Sequence, residues 1–308
     1  MKKKYRLVTR SDMDGLVSAV LLKELGAINS IKFVHPKDMQ DGKIEITSND
    51  ITTNLPYNKN AFLVFDHHES ELMRNSKHDN YVIDVKAPSA ARIVYDYYGG
   101  KDAFPRISDE MMKAVDKADS AQFDMEDVLN PKGWEFLSFL MDSRTGLGRF
   151  REFRIPNYQL MMNLIDLCIT HSIEQIFELP DIKERVELYN RYDKKFRDQL
   201  KRCSTVHKNL VVLDLRNEEV IFPGNRFMIY ALFPKTNISI HHIWGFKKQN
   251  QVFATGKSIF NRTSETNIGA LMLKYNGGGH RNAGTCQIAN AKADQVLQEL
   301  ITQINADG

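Results

Sequence analysis

The apolar positions of the first hundred residues fall into short runs separated by polar turns. Tyr5 to Thr9 reads as a strand, and from Gly15 to Leu25 the residues Leu16, Val17, Val20, Leu21 and Leu25 recur at helical spacing, with Gly26 as a stop. Ile31 to Val34, which ends before Pro36, and Lys43 to Thr47, which alternates ahead of the turn residues Ser48, Asn49 and Asp50, predict two more strands. Ala61 to Phe65 is a continuous apolar run, the pattern of a strand covered on both faces, and it stops at Asp66-His67-His68. The alternation predicts an α/β domain built on a parallel sheet with helices on both faces.

From Pro88 to Ala118 the period becomes helical, broken by Gly99-Gly100 and Pro105, and helices dominate to about residue 202. Pro180 to Arg202 carries only a sparse apolar stripe among many charges and reads as a solvated connecting helix. Beyond it, Leu210 to Leu215, Arg226 to Phe233, Ser239 to Phe246 and Thr285 to Ile288 read as strands. Helices are predicted from Ile268 to Tyr275 and from Ala291 to Ile304. The expected organisation is an α/β domain over 1–155, a helical connector over 156–205 and a smaller α/β domain over 206–308.

Composition narrows the class. The 308 residues carry 42 Lys and Arg against 39 Asp and Glu, a net charge of +3, with 42% apolar residues. Such a chain can bury a core in each domain, and its near-balanced charge gives no electrostatic case for gripping long duplex DNA. The cysteines Cys168, Cys203 and Cys286 lie far apart with no metal or redox spacing, which predicts reduced thiols and a cytoplasmic protein. No stretch approaches the roughly 18 uncharged residues of a membrane span, and Lys2-Lys3-Lys4 is not followed by the apolar segment of a secretion signal. No membrane partner is expected.

Four short constellations could carry chemistry. Asp12 and Asp14, in Ser11-Asp12-Met13-Asp14-Gly15, stand at the carboxyl end of the first strand, where open α/β sheets bind ligands and paired carboxylates suit divalent metal; either could instead cap the next helix. Asp66-His67-His68 offers imidazole and carboxylate together, a mixture suited to Mn, Fe or Zn, whereas His241-His242, inside a strand and without a carboxylate, reads as structural. Asp119 follows an amphipathic stretch. Gly277-Gly278-Gly279-His280 could turn backbone amides into an anion nest, or could simply end a helix.

In this order the four elements resemble the motifs of the DHH phosphoesterase family with its associated C-terminal domain, over nearly the whole chain. Asp12-Met13-Asp14-Gly15 is similar to the first motif, Asp66-His67-His68-Glu69-Ser70 to the third, Asp119-Ser120-Ala121-Gln122-Phe123 to the fourth, and Gly277-Gly278-Gly279-His280 to the C-terminal signature. The second motif, a single aspartate after an intervening strand, is assigned to Asp50 ahead of Asp38. The resemblance implies a dinuclear manganese centre, with Asp14, Asp50, His67 and Asp119 on one ion, Asp12 and Asp50 on the other, His68 facing the scissile phosphate and Asp66 orienting a ligand imidazole. Where many members carry a histidine before the first aspartate, this chain has Val8 and Arg10. The expectation is therefore one firm Mn²⁺ and a second that is weak, with Arg10 turned to a phosphate or to solvent.

The resemblance also implies a phosphodiester substrate, with Ser258, Arg262, Gly278, Gly279 and His280 gripping a far phosphate and the separation of grip and metals acting as a length ruler. Arg144 and Arg149, interleaved with Phe150 and Phe153, could neutralise phosphate and stack a base, or could be solvated arginines beside core phenylalanines. The expected activity is hydrolysis of short oligoribonucleotides, linear dinucleotides foremost, to mononucleotides, as in a nanoRNase. Exopolyphosphatase, 3′-phosphoadenosine 5′-phosphate phosphatase and cyclic-dinucleotide phosphodiesterase are the alternatives within the class, and a non-catalytic nucleic-acid-binding member is the alternative outside it. A homodimer is compatible with this reading.

Overall fold

The computed structural model describes residues 3–68, 71, 78–150 and 153–308. Glu69 and Ser70, drawn into the third motif above, lie outside the described residues, as do Lys2, Arg151 and Glu152. The chain forms two compact units, Met1–Phe123 with Pro131–Leu188, and Asp124–Asn130 with Tyr189–Gly308. The division passes through the long helix Pro180–Arg202.

The first unit is built on five parallel strands, β1 (Tyr5–Arg10), β2 (Ile28–Val34), β3 (Asp50–Thr53), β4 (Leu63–Asp66) and β5 (Tyr81–Ile83), in the order β2-β1-β3-β4-β5. Neighbouring residues of one strand, Leu7 and Val8 in β1 or Val64 and Phe65 in β4, are all fully buried, so both faces of the sheet are covered. The chain leaves β1 for β2 on one side and returns to β3 on the other. This reversal makes the carboxyl ends of β1 and β3 the switch point of the sheet, the usual ligand position in such folds. Two residues, Ser11 and Asp12, separate β1 from helix α1 (Met13–Glu24), whose first ten residues are buried.

Two expectations for the elements are corrected. Lys43–Thr47 is not a strand; the strand follows the turn instead of preceding it, because the β-branched run Ile51-Thr52-Thr53 pairs with Leu7, Val8 and Thr9, while the Asp50 carboxylate folds back onto the Thr47 amide at 2.7 Å. Arg226–Phe233 contains the short helix Met228–Leu232 in place of a strand. Asn225 folds its side chain onto the Phe227 amide at 3.0 Å to start that turn, and Pro234 follows its end.

The second unit carries a mixed sheet of β6 (Ser204–His207), β7 (Leu210–Asp214), β8 (Ile238–Trp244), β9 (Gln251–Lys257), β10 (Gly278–His280) and β11 (Ala283–Ile288), in the order β10-β11-β9-β8-β7-β6. Only β7 and β8 run parallel. Its core joins Val212, Ile240, Phe253 and Met272 to Leu300 and Ile304 of the last helix, Ala293–Asp307. Strand β9 went unread in the sequence because its alternation, Val252, Ala254 and Gly256 outside against Phe253 and Thr255 inside, is carried by small residues.

Candidate metal centre

The strand register decides what meets at this switch point. Thr9 pairs with Thr53, and Thr53 with Phe65, so the next residues along, Arg10, Asn54 and Asp66, stand level at the carboxyl edge. Beneath them Thr53 Oγ1 donates to Thr9 Oγ1 at 2.7 Å, and Thr9 Oγ1 donates to the Thr53 carbonyl at 3.0 Å. Helix α1 is pressed against this edge. A Cβ on Gly15 would lie 1.8 Å from the Arg10 carbonyl oxygen, so only glycine lets the helix begin here.

Asp14, His67 and Asp119 converge, each offering a ligand atom within 4.8 Å of the others. Asp14, buried in the first turn of α1, accepts the amides of Ala90 and Ala91 at 3.0 and 2.6 Å, the start of helix α3 (Ala90–Tyr97), α2 being Pro36–Gln40. Asp119 comes from the last turn of α4 (Asp109–Ser120), closed by Ala121 in the left-handed conformation at φ 52°. His67 Nδ1 lies 3.2 Å from the Ala87 carbonyl, a contact it makes as donor, which turns Nε2 inward to 2.6 Å from Asp119 Oδ2. Nε2 is buried and faces the Asp119 carboxylate, so it is the ring nitrogen that would turn to a cation shared with that group.

The protonation states tell the same story. Burial pushes Asp14 well above the usual carboxylate range, with the neighbouring Asp119 charge adding to it. Burial also opposes charge on His67 and on Asp119, but their mutual attraction outweighs it, raising His67 to about 9 and lowering Asp119. The cluster holds protons where a divalent cation would balance the same charges. The donor set, two carboxylates and an imidazole, fits a divalent ion of the Mn, Fe or Zn type.

Asp66 takes a different partner from the one expected. Its Oδ1 accepts His68 Nδ1 at 2.8 Å and the His67 amide at 2.9 Å, while Oδ2 accepts Tyr81 OH at 3.3 Å. Asp66 therefore orients His68, and the Ala87 carbonyl orients His67. His68 is half-exposed, and Nδ1 is the ring nitrogen that Asp66 engages.

Asp50 is not at this centre. It opens β3 at the amino edge, where Arg6 grips it through Nε at 2.6 Å and a terminal nitrogen at 2.9 Å. Four residues of strand, about 13 Å, separate it from the carboxyl edge. The alternative Asp38 is on the surface, paired with Lys43. The residue at the carboxyl end of β3 is Asn54, buried and left-handed at φ 54°. It was missed because the strand was placed before Asp50, and the β-branched run ahead of it was the available signal. Asp12 caps α1 by accepting the Gly15 amide at 3.0 Å, and its Oδ2 meets Arg10 Nε at 2.9 Å.

Arg144, in the short turn Ser143–Thr145, is bonded to Asp142 at 2.8 Å, and its charge is felt by both Asp12 and Asp119. Arg149 folds over Gly146. Phe153 is covered by the buried Arg185 guanidinium at 4.1 Å, so this ring face is taken and does not stack a base. In the second unit, Ser258 Oγ accepts the amides of Phe260 and Asn261 at 3.2 and 3.0 Å, and Arg262 Nε donates to the Ile259 carbonyl at 2.9 Å. Gly278–His280 is an exposed edge strand and not a turn nest. Gly279, at φ 155°, would carry a Cβ 2.3 Å from the Ala283 oxygen. His241 and His242 lie in β8 as structural residues, the latter bonded to Gln251.

Among solved structures, the chain is 62% identical to a pGpG-specific phosphodiesterase, PggH, from Vibrio cholerae, covering 99% of this chain and 100% of that one with a TM-score of 0.90. RecJ from Thermus thermophilus in complex with Mn²⁺ shares the fold at 11% identity and a TM-score of 0.55, covering 99% of this chain and 52% of that one. No family model and no curated protein matches the chain. Fold and site define a phosphoesterase with a place for a divalent metal ion. The chain belongs to the DHH phosphoesterase family.

Proposed function

We propose that this protein hydrolyses linear dinucleotides of the pGpG kind to mononucleotides, with Mn²⁺ as its metal. The observation that carries the substrate is the 62% identity with a pGpG-specific phosphodiesterase along the full length of both chains. Asp14, His67 and Asp119 would hold the ion. When bound, a divalent ion supplies Lewis acidity toward a phosphoryl oxygen and makes water acidic enough to attack near neutral pH.

The remaining tasks fall to the protein's own groups. Arg10 and Arg144 present fixed positive charge to the phosphate, which binds it and favours the extra negative charge of the transition state. Asp66 locks the His68 ring through Nδ1, so that Nε2 can hand a proton to the departing ribose oxygen. Within the second unit, Arg262 and His280 are proposed as contacts for a nucleotide phosphate, with Ser258 and the Gly278-Gly279 backbone shaping their loop and strand.

The test is a chromatographic assay with Mn²⁺ and a panel of 5′-phosphorylated dinucleotides of G and of A, a five-nucleotide RNA, cyclic dinucleotides, 3′-phosphoadenosine 5′-phosphate and tripolyphosphate. Mononucleotides released fastest from the G dinucleotide support the reading. Faster turnover of another class replaces it, and no turnover of any member points to a binding protein.

A further inference from the structure

Asp12 is the other carboxylate of the first motif, and hydrogen donors surround it. Arg10 Nε lies 2.9 Å from Oδ2, the Gly15 amide 3.0 Å from Oδ1, and Asn54 Nδ2 3.4 and 3.5 Å from the two oxygens. A second metal would need further anionic or imidazole ligands here. Of the three strand ends level here, β1 and β3 supply a guanidinium at Arg10 and a neutral amide at Asn54, the Asp66 carboxylate at the end of β4 is taken up by His68, the His67 amide and Tyr81, and Val8 is a fully buried aliphatic residue within β1. Asp12 is outside the converging set of Asp14, His67 and Asp119.

We propose that the centre takes one divalent ion, at Asp14, His67 and Asp119, and that the Arg10 guanidinium, anchored by Asp12, stands in the place of a second. Asn54 is a positioning residue, its NH₂ group steadying the carboxylate that holds Arg10. With Nε turned to Asp12, the terminal nitrogens of Arg10 are the fork left to meet two phosphate oxygens, and the side chain is exposed enough to do so. Guanidinium cannot acidify a water, so in this scheme the single ion activates the nucleophile and Arg10 is confined to charge stabilisation. Asn54 Oδ1 is buried with no hydrogen-bond partner among the described residues, a cost relieved when bound substrate or its water brings a donor. The role given to Arg10 rests on the phosphodiester reading, whereas the ion count stands independently of it.

The experiment is a Mn²⁺ titration of the metal-stripped full chain, counted by equilibrium dialysis with elemental analysis and read by electron paramagnetic resonance, with and without a non-hydrolysable thio-substituted dinucleotide. One ion per chain with an uncoupled six-line spectrum, in both conditions, is the expected result. Two ions with a spin-coupled spectrum in either condition overturn the proposal. Arg10→Gln is expected to keep its single ion and lose about 100-fold in kcat; loss of the ion, or full activity, overturns the role of Arg10. In Arg10→Gln/Asn54→Asp a carboxylate replaces the amide at a left-handed position that aspartate tolerates, and the count is expected to rise to two. A count that stays at one in this variant overturns the exchange of guanidinium for metal. Because the count needs no turnover, a wrong substrate and a wrong metal number give different failures.

Discussion

At the metal-free centre His67 is protonated below about pH 9, and Asp14 holds its proton more tightly than an ordinary carboxyl. A cation must displace these protons, so metal binding releases them and apparent affinity falls as pH drops below about 9. Calorimetric titration of Mn²⁺ in buffers of different ionisation enthalpy is expected to show release of about one proton or more at pH 7, and a result independent of buffer would contradict it. Removing a ligand, as in Asp14→Asn, is expected to lower metal affinity by at least about 100-fold, more than loss of a supporting group costs. Asp50 behaves differently. Burial works against its charge, but Arg6 and the Thr47 amide outweigh it and hold its pKa below the ordinary value. A depressed pKa contributes stability that is present above the unfolded value, about 3.9, and is lost as pH falls through the folded one. Asp50→Asn is therefore expected to destabilise the fold by about 2 kcal/mol at neutral pH while metal content stays at the wild-type level, with the stability difference shrinking below about pH 4. Denaturation at pH 7 and pH 3.5, beside elemental analysis, separates this from a ligand role.

The elements show what the sequence made legible. Strands β1 and β4 were readable because each ends in a switch from a buried run to a charged residue, at Arg10 and at Asp66, and those switches located Asp14 and His67. β3 was misplaced because Lys43–Thr47 imitates strand alternation, and with only four residues the true strand gave little period to recognise. That one slip carried the second-motif assignment to the wrong edge of the sheet. Asp66 was legible as a supporting group, but not its partner, since the choice between His67 and His68 depends on where the Ala87 carbonyl lies, twenty residues on. Gly15 gives an element-level prediction. Gly15→Ala must push α1 away from the Arg10 carbonyl, and Asp12 and Asp14 travel with the helix, so metal content is expected to fall although no ligand is changed. Elemental analysis of the folded variant decides it, and wild-type metal content would show that the helix start can yield.

For the molecule as a whole, a net charge of +3 sets the expectation for binding. A dinucleotide offers few phosphates, and with two neutralised the slope of log affinity against log salt is expected to be about −1.4 or shallower, since each contact on single strands contributes about −0.7. A steeper slope, measured with a non-hydrolysable dinucleotide, would reveal charge contacts beyond the substrate's own phosphates. Among the described residues no helix is long and apolar enough to cross a membrane. The division into two units also bears on how this enzyme can be taken apart. The chain passes between them at 123/124, 130/131 and 188/189, so the second unit owns seven residues from the middle of the first unit's sequence. Those residues are integral to it, since Val128 is fully buried and the Leu129 carbonyl accepts Arg197 at 2.6 Å. A gene cut once at the long helix therefore delivers neither unit intact. Recombination with a relative can exchange the C-terminal unit cleanly only by carrying the 124–130 segment with it, which makes the two halves of this protein heritable as a pair.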